Sequence, residues 1–288
     1  MKFGLPLTQR GLDAADFGQV AIAAEAAGFE SLWIPEHLVL PEALPPTYPY
    51  SSTGYAPIDS GTPEFDPWVA LASVAGVTST IRLATGVFIL PLRHPLVTAR
   101  AVMTLDRVSR GRVTLGIGVG WLAEEFAVVD QSFPDRGRRA DESIALIRRL
   151  WSEHSVEHHG PSFDFGPVRF EPKPVQDPLP IEVGGTSPAA LRRAGRLGDG
   201  WIELGSTGPA EVAQRLAVIN EARREAGRAD GPFEVTCGVP GTLEDIASYG
   251  EVGVTRVMTG PPPTEAPRSI ESLLDWIGSF GDSVIAKA

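Results

Sequence analysis

The feature that most constrains this chain is an alternation repeated eight times. Short runs rich in Val, Ile, Leu and aromatic residues stand at 2–7, 31–37, 82–90, 112–120, 180–183, 201–204, 233–239 and 254–258, and a stretch with helical spacing follows each. Strand-then-helix order imposes parallel pairing with right-handed crossovers, because the chain must return across a face before it pairs again in the same direction. The run at 31–37 is apolar without alternation, the pattern of a strand covered on both faces. Eight such units in 288 residues favour a closed barrel over an open doubly wound sheet. The expected fold is therefore α/β, a single (β/α)8 TIM barrel spanning 1–288, with insertions after strand 2 and between helix 4 and strand 5.

Local punctuation supports the helices. Asp13 precedes Phe17, Val20, Ala24 and Ala27 at helical spacing, Asp16 completes a capping box, and Gly28 is placed for a left-handed stop. Pro95 opens a helix with Leu96, Ala99 and Met103 on one face, and Gly111 ends it. Over 135–153, Ile144, Ile147 and Leu150 form the buried stripe, while Ser187-Pro188 and Thr242-Leu243-Glu244-Asp245 read as further helix starts. The two insertions differ in kind. The stretch 155–178 reads as a hairpin-like excursion. The stretch 39–67 is rich in Pro, Ser and Tyr and has no period, and a structureless loop of that length is uncommon unless it is a lid or binding loop. With Tyr48, Tyr50 and Tyr55 it is the candidate lid.

Composition narrows the class of partner. A net charge of -11 argues against nucleic acid, which calls for a basic surface. The single Cys237 allows no internal disulfide and fits a reducing cytoplasm. The opening residues are too soon broken for a signal peptide, and the longest charge-free apolar-leaning run, 68–81, carries Ser, Thr and Gly and stops at Arg82, so no membrane span is expected. A cytoplasmic homodimer acting on a small molecule is the expectation.

In a parallel barrel, chemistry gathers where strands stop and helices begin. Glu36-His37 follows the second run and pairs a carboxylate with an imidazole that titrates near neutral pH; the alternative is a hydrogen-bonded pair that only anchors the neighbouring loop. Thr85-Gly86-Val87 places a glycine inside the third run, which marks either a bulge or close approach of a ligand, or simply relief for a bulky neighbour. Gly116-Ile117-Gly118-Val119-Gly120-Trp121 has the wrong spacing for a dinucleotide fingerprint, with no amphipathic helix following at once; it offers room for a flat ligand, or answers crowding between strands. Gly184-Gly185-Thr186-Ser187-Pro188 lies at a strand end and a helix start, a natural anion site that is also an ordinary N-cap, with Ser206 bordering the same pocket. His158-His159 beside Glu157 has metal-like residue types but no partner pair, and no metal site is expected.

These stretches together resemble the luciferase-like monooxygenase superfamily, most closely its branch that uses the deazaflavin coenzyme F420. The resemblance is carried by 31–37, by Arg82-Leu83-Ala84-Thr85-Gly86-Val87-Phe88-Ile89-Leu90-Pro91 with Arg93-His94-Pro95, by Leu105-Asp106-Arg107-Val108-Ser109-Arg110-Gly111-Arg112 running into the glycine run, and by Gly184-Gly185. It implies a (β/α)8 barrel and a deazaflavin, or in the alternative FMN, over the C-terminal mouth. It implies a non-prolyl cis peptide at Gly86-Val87 behind the ring, with Thr85 and Gly118 beside it. Gly184, Gly185 and Thr186 would meet the phosphate tail. His37 would be the acid–base group, and Glu36 would orient His37 or the ring. Trp121, Glu124 and Tyr55 are the expected substrate contacts.

Two positions depart from the family pattern: Glu36 stands where Asp is more usual, and Trp121 replaces the glutamate that sugar-phosphate dehydrogenases carry after the glycine run. The activity expected is hydride transfer between F420 and a small organic substrate. The rivals are an FMN monooxygenase and a barrel that binds a ligand without turnover.

Overall fold

The structure is a computed structural model that describes residues 1–7, 12–205, 208–238, 243–261 and 269–287. Its strands are β1 (Lys2–Pro6), β2 (Ser31–Ile34), β3 (Arg82–Thr85), β4 (Phe88–Ile89), β5 (Val113–Gly118), β6 (Val156–His159), β7 (Asp164–Val168), β8 (Ile181–Gly184), β9 (Gly200–Ile202), β10 (Glu234–Gly238) and β11 (Arg256–Met258). Between them run α1 (Phe17–Ala26), α2 (Pro67–Ala75), α3 (Pro95–Val108), α4 (Ala123–Val128), α5 (Arg136–Ser152), α6 (Pro188–Leu197), α7 (Pro209–Glu225), α8 (Leu243–Glu251) and α9 (Ile270–Ser283). The sheet runs β3-β2-β1-β11-β10-β9-β8-β5-β4, and a β3–β5 pairing closes it. All its pairings are parallel. With β3 and β4 as one interrupted strand, this is the closed eight-stranded α/β barrel that the alternation demands.

The local signals behave as their chemistry requires. Asp13 accepts from Ala15 N–H and Asp16 from the Asp13 N–H, although this capping box opens a 3-10 turn that runs into α1. Gly28 and Gly111 adopt φ +89° and +87°. The excursion at 155–178 is the antiparallel pair β6–β7. The third apolar run forms two short strands, β3 ending at Thr85 and β4 beginning at Phe88, with a cis Gly86–Val87 bond between them. One element escaped the pattern: α4 is only six residues long, too short for a helical period to show. The Thr242 helix start lies outside the described residues.

The barrel interior is built in layers. Low in the barrel, the Arg256 guanidinium donates to both Glu182 oxygens and to Thr236, and reaches Glu30. Above it lies the Trp33 indole, whose ring centre is 5.2 Å from the guanidinium. Trp33 fits because its neighbours lack side chains: a Cβ on Gly4 would stand 2.7 Å from the indole nitrogen, and one on Gly86 3.1 Å from the ring. Val87, Ile202, Leu204 and Met258 pack around it in an apolar cluster separate from the main core between helices and sheet. No described helix is long and apolar enough to cross a membrane.

Candidate active site

The second strand ends at Ile34, and the chain turns outward through Pro35, Glu36 and His37. These two side chains have different partners. Glu36 is buried, with its side chain 2 % exposed, and Arg93 grips both carboxylate oxygens at 2.8 Å while the Ile89 N–H donates at 2.8 Å. Burial pushes its carboxyl above the ordinary range, and the Arg93 guanidinium and Ile89 N–H pull it back. Glu36 therefore ties the end of β2 to the segment after β4 and does not orient His37, a correction to the expected division of labour. The extra methylene of Glu over Asp gives the reach for this fork-to-fork contact.

The group that holds the imidazole is Glu125. Its Oε2 lies 3.2 Å from His37 Nδ1 and its Oε1 accepts the Leu38 N–H at 2.5 Å. Glu64, in the long insertion, accepts the His37 N–H at 3.2 Å, and burial pushes its carboxyl up. The Trp121 ring meets the imidazole edge-on with centroids 5.7 Å apart, and Tyr48 meets Trp121 at 5.2 Å. Tyr48 in turn contacts Tyr50 at 5.3 Å. Tyr50, whose hydroxyl burial pushes up to about 12, reaches to 3.5 Å from where a Gly185 side chain would begin. The insertion thus crosses the mouth from the end of β2, past Trp121, to the end of β8.

Two expected substrate contacts are displaced by this arrangement. Glu124 is exposed, while its neighbour Glu125 is fully buried, so the carboxylate turned to the site is one position further on. Tyr55 is 60 % exposed, and Tyr48 and Tyr50 make the inward contacts instead. Glu125 was missed because α4 shows no period; the Glu124-Glu125-Phe126 triplet was the signal available, since its two carboxylates cannot share one face.

The glycines answer crowding rather than opening space, a correction to the flat-ligand reading of Gly118. A Cβ on Gly118 would stand 2.6 Å from one Val87 methyl, and one on Gly184 2.6 Å from the other, so both glycines seat Val87. A Cβ on Gly116 would fall 1.9 Å from the Thr85 carbonyl oxygen. Thr85 itself is fully buried and donates to the Gly116 carbonyl at 2.7 Å, so its hydroxyl joins two strands. Gly185 has φ +120°, gives its N–H to Ile202 and accepts from Trp201 Nε1. The anion turn therefore does not offer the Gly185 N–H; it offers half-buried Thr186 and the start of α6, where Ser187 caps Ala190. Ser206 lies outside the described residues. His158 and His159 pair with Glu142 and Asp164, and no group of three or more metal-ligating side chains occurs among the described residues.

A parallel barrel with an imidazole–carboxylate pair above an apolar floor at its C-terminal mouth is the architecture of a barrel enzyme. The chain belongs to the luciferase-like monooxygenase family, whose model matches residues 1–245. An uncharacterized protein of Mycobacterium tuberculosis is 34% identical over 274 residues, 93% of this chain and 94% of that one. An F420-dependent glucose-6-phosphate dehydrogenase of Kineococcus radiotolerans is 33% identical over 227 residues, 77% of this chain and 61% of that one. Among solved structures, the coenzyme F420 dependent tetrahydromethanopterin reductase of Methanopyrus kandleri superposes with a TM-score of 0.77 at 19% identity over 99% of each chain. The monooxygenase RslO1 of Streptomyces bottropensis gives 0.74 at 22% identity, covering 100% of this chain and 99% of that one.

Proposed function

We propose that this protein transfers a hydride between coenzyme F420 and a small organic substrate at the mouth of the barrel. The observation that carries the reading is the His37 imidazole, paired to the buried Glu125 carboxylate just past the end of β2; other strand ends of the same barrel supply an apolar floor of Val87, Ile202, Leu204 and Met258. That floor fits a flat ring system, and the aromatic group Tyr48, Tyr50 and Trp121 fits its rim. Thr186 and the first turn of α6 are the groups suited to an anionic tail. The coenzyme, when bound, supplies the hydride chemistry. His37 holds or moves a proton at Nε2, the ring nitrogen left over when Nδ1 faces Glu125. Val87, fixed by its two glycines, supports the floor, and the insertion with Tyr48 and Tyr50 excludes water. The relatives that bear F420 in their names support the coenzyme assignment.

The test is a fluorescence titration of the protein with F420 and, separately, with FMN. F420 is expected to bind at least about tenfold tighter, a difference of about 1.4 kcal/mol. Tighter binding of FMN would favour the monooxygenase alternative, and failure of both below millimolar concentrations would refute the functional reading.

A further inference from the structure

We propose that Glu125 is the positioning residue of this site: its carboxylate holds the His37 ring as the tautomer protonated at Nδ1, so that Nε2 is the nitrogen presented to the reacting partner. For its catalytic consequence this rests on the role given to His37 above, but the tautomer itself belongs to the protein alone.

The geometry makes the assignment specific. An ionised carboxylate accepts hydrogen bonds and has none to give, so the contact at 3.2 Å places the proton on Nδ1. Glu125 has little freedom to swing away, because it is fully buried and its other oxygen is engaged by the Leu38 N–H. Both contacts go to the same two-residue segment, so α4 clamps the ring and its backbone together. The other charged groups nearby have partners elsewhere. Glu36 is held by Arg93 and Ile89, and Glu64 accepts the backbone N–H of His37 instead of touching the ring. Trp121 presents an aromatic edge contact to the imidazole, and Tyr48 packs behind Trp121.

The proton balance is simple. When Nε2 takes up a proton, the ring becomes a cation beside an anion; when it gives that proton up, the ring returns to the neutral form with hydrogen on Nδ1. The Glu125 carboxylate touches no reacting atom and acts only through the histidine.

The test is nitrogen-15 spectroscopy of the histidine rings in the full chain, about two pH units above the ordinary imidazole value of roughly 6.5. The chain has 5 histidines, and His37 is assigned as the signal lost in His37→Gln. The expected result is a single Nδ1-protonated form in the wild type, with a slowly exchanging Nδ1 proton, and loss of that single form in Glu125→Ala. An Nε2-protonated ring in the wild type, or an unchanged ring in a folded Glu125→Ala, overturns the proposal. The wild-type tautomer is read without any change at Glu125, so a misfolded Glu125→Ala does not shield it. Failure of F420 to bind would strike the proposed function and leave the tautomer result standing.

Discussion

Replacing Arg93 by Met tests how the end of β2 is held. In the native protein the Glu36 carboxylate receives three hydrogen bonds, two of them from Arg93, and its side chain is 2 % exposed. Arg93→Met retains much of the side-chain stem but leaves Ile89 N–H as the sole donor of these three. Removing one partner of a buried pair costs about 3–5 kcal/mol, because the remaining charge is buried without compensation. The carboxyl has an escape, which is to take up a proton. Its value, already pushed up by burial, rises further once the guanidinium that opposes that shift is gone. The sign then follows. A raised folded-state value means that the folded variant keeps a proton which the unfolded chain releases above about 4.5, so stability is lost as pH rises through the folded-state value.

The assay is urea denaturation of wild type, Arg93→Met and Arg93→Met/Glu36→Gln between about pH 5 and 8. The single variant should lose about 3–5 kcal/mol near pH 8 and less near pH 5. The double variant should recover much of that loss and show little extra pH dependence. A single-variant loss below about 1 kcal/mol, typical of an exposed pair, or a double variant no better than the single, would refute the reasoning.

Other predictions concern the fold and the site together. Glu25 accepts from the Ser79, Thr80 and Ile81 N–H groups; burial raises its carboxyl, but these bonds outweigh it and hold it at about 2. Glu25→Gln should therefore cost about 1–2 kcal/mol at neutral pH after discounting for solvent screening, and the difference, read by urea denaturation, should shrink as pH falls from 4.5 towards about 2. Gly184→Ala would set a Cβ 2.6 Å from Val87 Cγ1, so about 1–3 kcal/mol should be lost by overpacking and partly restored when Val87→Ala is added, measured as melting temperature. His37→Ala should reduce turnover while leaving coenzyme affinity within roughly tenfold, about 1.4 kcal/mol, by fluorescence titration. Glucose 6-phosphate should be a poor substrate in a coenzyme absorbance assay, because among the described residues Arg93 is committed to Glu36, Arg136 to the Gly120 and Phe133 carbonyls, and Arg215 to Glu203 and Glu211.

What the sequence determined by itself was everything that depends on period and order. Eight apolar runs alternating with helical stretches left a parallel barrel as the economical way to bury both strand faces, and capping residues such as Asp13, Gly28, Gly111 and Ser187 marked where helices begin and end. Position at strand ends was also enough to single out Glu36 and His37. The tertiary structure alone decided which groups meet. Arg93 and Glu36 are 57 positions apart and His37 and Glu125 88, so no local spacing could pair them; closure of the barrel does, by bringing the ends of β2, β4 and β5 to one rim. The glycines show the same division. Their positions were visible in the chain, but whether Gly118 and Gly184 receive a ligand or a neighbour depends on Val87, whose methyls reach both only when the strands stand side by side.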